Sequence, residues 1–276
     1  MPAAAAGRPL RLSPVLTVAA LLGVALVTWI VTIERMRGMD EGPGTDLGGL
    51  GWFIGVWVTM TAAMMLPSTA PMVMVVRTAS AQRGRGRPAA PAATALFVAG
   101  YLAAWTAYGL AAYGAFRALA AHHPGLLAWD REGPVAAGAA VAAAGAYQLT
   151  PLKRACLRHC RTPLHFVMHR WRQGTAGAFA MGLEHGAWCL GCCLGLMLAL
   201  FAVGVMSVAW MAVVAVVIFA EKVLPGGARL TAPVAVCLVA LGALIAVTPG
   251  RVPGLTEPGT APGMSMEQPA PPSSMR

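Results

Sequence analysis

The sequence predicts an all-α protein, a polytopic transmembrane helical bundle of about seven spans in the N-in/C-out orientation. Three observations carry this prediction. First, 58% of the 276 residues are hydrophobic and only 11% are charged, against about 25% charged in an ordinary soluble domain. Second, the charges sit in short clusters separated by apolar runs of membrane-crossing length. Third, the basic residues fall unequally on the two sides that those runs define. The composition excludes a simple soluble enzyme.

The spans follow from the charge gaps, since one crossing takes about 20 mostly apolar residues. The first is 15–33, behind Arg8 and Arg11. No small-x-small cleavage site precedes Glu34, so it reads as an uncleaved anchor rather than a signal peptide. The second run, 47–76, contains Pro67 and Pro71, which should kink or locally unwind it and expose carbonyls. The third lies between Arg87 and Arg117, and the fourth between Glu132 and Lys153. From Gln173 to Ala220 the only formal charge is Glu184. One helix over that run would measure roughly 70 Å, so it divides into two spans at a turn near 204–207. A last span covers 230–250. The chain thus reads as a cytoplasmic N-terminal segment (1–14), a transmembrane domain (15–250) and a disordered Pro/Gly/Ser/Met tail (251–276).

The net charge of +10 serves as an orientation marker. With the N-terminus inside, the cytoplasmic side holds Arg8, Arg11, Arg77, Arg83, Arg85, Arg87, Lys153, Arg154, Arg158, Arg161, Arg170, Arg172, Lys222 and Arg229, 14 of the 20 basic residues. That bias is the positive-inside pattern. Because these residues occupy short loops beside the membrane, contact with lipids accounts for them, and no nucleic-acid partner is expected. No Gly-rich phosphate loop is present.

The chemistry is concentrated in the fifth span, which reads MGLEHGAWCLGCCLGLM over 181–197. On a helix, Met181, His185, Cys189 and Cys192 fall within about 80° of arc, giving three sulfur ligands and an imidazole on one stripe. Cys193 points to one side and Glu184 to the opposite flank. Thiolate and thioether select Cu(I) or another soft metal, with zinc as a second candidate, whereas Mg or Ca would ask for oxygen ligands. An isolated membrane Cys is usually just a small buried residue. A Glu-His pair in an apolar run is harder to explain by packing, because buried ionisable groups normally face a partner or a cavity. Glu184 is the expected charge or proton partner of the site. Gly182, Gly186, Gly191 and Gly195 have the small-xxx-small spacing of close helix contacts.

Two further segments supply donors. In the second span Met60 and Met64 share a face with the two prolines, and broken membrane helices are tolerated where they line a cavity. Met60 and Met64 are therefore expected to complete a site with Cys189 and Cys192. Between the fourth and fifth spans lies C-x3-C-x4-H-x3-H, formed by Cys156, Cys160, His165 and His169, with His159 inside it. These are metal-type residues without the long spacer of a zinc finger, and they suggest a cytoplasmic relay. Met36, Met39, Asp40, Met264 and Met266 could sample a soft metal weakly outside the membrane. Cys237, alone in the last span, reads as structural, and His122 and His123 as solvated.

Four motifs in order, MRGMD from Met36, WVTMTAAMMLP from Trp57, YQLTPLKRACLRHC from Tyr147 and GAWCLGCCLGLM from Gly186, resemble a bacterial family of metal-binding integral membrane proteins, sometimes labelled copper chaperones. The resemblance covers roughly 15–250. It implies a bacterial inner-membrane protein with a copper role, handing the metal to or from a cuproprotein or copper donor. In that family a Trp commonly follows the paired cysteines, where this chain has Leu194. Other classes stay open: a membrane metal transporter, an assembly subunit without a site, or a thiol–disulfide oxidoreductase using Cys189 and Cys192, whose CxxC spacing suits a redox pair. Metal binding asks only for deprotonated ligands in a dry pocket, and binding is preferred over catalysis.

Overall fold

The computed structural model describes residues 14–37, 47–83, 89–123, 125, 132–204, 207–249 and 252. The tail except Val252 (Met264 and Met266 with it), Met39, Asp40 and all but the last residue of the N-terminal segment lie outside the described residues. Among those described the structure is helical, with no strand. In chain order the helices are α1 (Pro14–Met36), α2 (Leu50–Arg83), α3 (Ala89–His122), α4 (Gly133–Gln148), α5 (Pro151–Arg161), α6 (Pro163–Arg170), α7 (Gly174–Val203), α8 (Val208–Val223) and α9 (Thr231–Val247).

Among the described residues, five helical segments are long and apolar enough to cross a membrane: α1, α2, α3, α7 and α9 with the 3-10 turn before it. Exposed apolar residues line the outside of α1 (Val15, Leu26, Val27 and Ile30) and α9 (Val236, Val239 and Val247). Such faces suit lipid rather than water. The long apolar run from Gln173 to Ala220 divides where expected. α7 ends at Gly204, whose φ of 114° a side chain would strain, and α8 starts at Val208. The fourth expected span is less simple. α4 has 16 residues and turns by 64° into α5, so the two form a broken pair. The break is built locally: Thr150 is extended, its Oγ1 accepts the Lys153 N–H at 3.2 Å, and Pro151 opens α5.

Two expectations change here. α2 runs without interruption through Pro67 and Pro71 for 34 residues. Its neighbours α1, α3, α6 and α8 hold it on several sides, and this packing outweighs the two missing donors. Lys153 and Lys222, expected in cytoplasmic loops, are buried. Each sits within a turn of a helix end and points into the bundle rather than out of it.

α7 is the central helix, packed on α3, α4, α5 and α8. A Cβ on Gly182 would strike the Phe97 carbonyl, and one on Gly186 would come within 2.6 Å of the Ala104 Cβ. The glycines therefore let the α3 and α7 backbones meet, which fixes their register.

Candidate metal centre

That register builds the site. α3 lies against Gly182 and Gly186, and one turn further along it brings the Tyr101 hydroxyl to 3.0 Å from Cys189 Sγ. On another side of α7, Gly191 leaves room for Cys156, whose Sγ would lie 2.5 Å from an added Cβ. Tyr147 of α4 donates its hydroxyl to the Gly191 carbonyl at 2.6 Å. With Cys156 seated in this notch, Cys160 one turn later reaches 3.6 Å from Cys192 Sγ.

Cys189, Cys192 and Cys193 are all buried, and their sulfurs lie within 4.8 Å of one another. Cys192 Sγ is 3.5 Å from Cys193 Sγ and 3.2 Å from the Cys189 carbonyl. With Cys160, four thiols from two helices converge. Cys193 joins its partners, and Cys160, from the expected relay segment, lies beside Cys192. All six cysteines are free. A compact group of reduced sulfur suits a soft cation, and among the described residues no carboxylate joins the group to suit a hard one.

A buried cation faces this group. Lys222 of α8 places Nζ 2.8 Å from Cys189 Sγ and 3.5 Å from Ser68 Oγ of α2. Its neighbour Glu221 is tied the other way, to Lys153 of α5 at 2.7 Å, and Lys153 also donates to Gln148. Arg161 donates to the Glu221 and Leu224 carbonyls. Adjacent charges at the end of α8 thus tie it to α5 and α7. Lys222, Tyr101 and Ser68 were not singled out from the sequence. The available signal was an acid and a base ending an apolar run, which positive-inside counting assigns to a loop.

The other expected residues divide. His185 is buried one turn before Cys189, ringed by Phe97, Tyr101 and Phe166 at centroid distances of 5.6–5.9 Å. Its Nδ1 has no hydrogen-bond partner among the described residues. Met60 and Met64 are buried in the same core cluster as the three α7 cysteines. Met181 is not: it packs with Met72, Phe97 and Phe166, and its sulfur accepts the Arg172 N–H at 3.3 Å. Glu184 lies away from the thiols, 3.5 Å from both Arg170 and Arg172.

The relay residues likewise occupy different environments. Cys156 is buried against Gly191. His159 stacks on Trp188 with centroids 4.0 Å apart, and His165 and His169 stack on each other on α6. Cys237 is exposed on α9, and His122 and His123 are exposed too. Met36 is buried in the core.

A family model, PpoB2, described as a copper chaperone, covers residues 54–245. No curated protein matches the chain, and no solved structure does.

Proposed function

The chain belongs to the PpoB2 copper chaperone family, and from that premise we propose that its buried thiols hold Cu(I) for transfer to or from a cuproprotein. The observation that carries this reading is the convergence of Cys160 with Cys189, Cys192 and Cys193. Cys189 and Cys192 are the primary ligands, and Cys160 and Cys193 are within reach for exchange. His185, Met60 and Met64 are the secondary donors available from the same core. Lys222 supplies the countercharge, because two thiolates around one Cu(I) leave a net negative charge in a dry interior. Zinc is the competing ion. Met181 and Glu184 have no ligand role in this arrangement.

The protein works in the bacterial inner membrane. Its seven crossings comprise the five long segments together with α4 and α8. Those two helices rise about 24 Å each, short of the roughly 30 Å hydrocarbon core, and end against polar groups buried in protein. The orientation is N-in/C-out.

The test is metal content. Protein purified under reducing conditions and loaded with Cu(I) should retain about one ion per chain, and a Cys189→Ser/Cys192→Ser variant should retain none. Equal metal in both would overturn the reading. Proteoliposomes separate the classes: vectorial uptake without a partner would indicate a transporter. Metal-free cycling of Cys189 and Cys192 between thiol and disulfide would indicate an oxidoreductase.

A further inference from the structure

α6 presents different chemistry on its two faces. Inward, Phe166 and Val167 are buried, and Phe166 meets His185 edge-on at 5.6 Å. Outward, His165, Met168 and His169 are all exposed. The imidazoles of His165 and His169 are one turn apart, with centroids 4.2 Å apart and planes at 26°. His169 Nδ1 lies 2.9 Å from the His165 carbonyl, which fixes that ring and leaves Nε2 directed to the outside. Two histidines at i and i+4 can bring one nitrogen each to a single ion. Arg170 and Arg172, which follow the pair in the chain, both lie against Glu184, so their charge is partly offset. Met168 adds a thioether beside the pair.

We propose that His165 and His169 form a second, surface metal site for a borderline divalent cation of the Cu(II) or Zn(II) class. Imidazole suits such ions, whereas the thiols across α6 suit a soft monovalent one. Phe166 and Val167 are buried on the opposite face of the same short helix, where Phe166 meets His185. The assignment stands on α6 alone and does not depend on copper at the thiols.

The experiment uses the full chain in detergent with its thiols alkylated, titrated with Cu(II) and followed by electron paramagnetic resonance. The expected result is about one Cu(II) per chain with nitrogen hyperfine structure, displaced by Zn(II). His165→Gln and His169→Gln should each weaken binding at least ten-fold, and His122→Gln should leave it unchanged. Repeated on unalkylated protein with Zn(II), the double variant His165→Gln/His169→Gln should lose one equivalent and keep any metal held by the thiols. No Cu(II) binding by the alkylated wild type would overturn the site, as would equal binding by the double variant. Failure of Zn(II) to compete would overturn the borderline-ion assignment. The thiol reading fails separately, on the cysteine variants.

Discussion

Lys153 and Glu221 form an ion pair 2.7 Å apart, with side chains 1% and 3% exposed. Removing one partner of such a pair strands the other charge in a dry interior, while removing both is far less damaging. Glu221→Gln should therefore destabilise the protein by about 3–5 kcal/mol. Lys153→Met/Glu221→Gln should recover most of that loss. Unfolding in denaturant with matched detergent measures both, and a double variant no more stable than the single one would refute the account. The donor residues were legible in the sequence because Cys, His and Met announce their chemistry by type. The charged residues were not, because a lysine at the end of an apolar run looks the same whether it reaches outward or inward. Only the partners decide, and Ser68, Cys189 and Glu221 come from α2, α7 and α8.

Among the elements, α7 was the most legible. Its apolar length, its glycine spacing and its cysteine stripe are periodic features of one helix, and local periodicity survives into the structure. Its division from α8 was readable for the same reason. The bend between α4 and α5 was not, although Thr150-Pro151 carries its signal, because the charge gap alone suggested a single straight crossing. That bend decides where Cys160 goes. Gly191 is the hinge point of this arrangement, since Cys156 fills the space a side chain would occupy. Gly191→Val should push α5 off α7, with an overpacking cost of about 1–3 kcal/mol. Cys160 should then alkylate several-fold faster, as read by mass spectrometry of timed maleimide labelling. An unchanged rate would mean that α5 is held by other contacts. Met181 illustrates the opposite limit: helical phase put it on the cysteine stripe, but three turns carried it into a different cluster beside α6.

For the molecule as a whole, the helical class and its membrane character follow from composition, and the structure agrees with five segments long enough to cross. The number of crossings depends on the two 16-residue helices, α4 and α8, whose length alone does not decide it. An odd number puts the termini on opposite faces. Tags at the two ends should therefore behave differently in intact spheroplasts, the N-terminal one protected and the C-terminal one accessible to protease. Equal behaviour of the two tags would require an even count. Moving Lys153 and Lys222 from the loops to the interior leaves 12 of the 14 basic residues in the expected set, so the charge bias behind this orientation persists.

The clasp at the end of α8 has a consequence for biogenesis. Chains fold as they are synthesised, N-terminal parts first. α5 and α7 are complete long before residues 221 and 222 emerge, so in the nascent chain Lys153 lacks its carboxylate and the cysteines of α7 lack their ammonium. The centre is therefore finished only when α8 arrives. A ribosome-bound protein would pass through a stage in which its thiols are made but not yet enclosed.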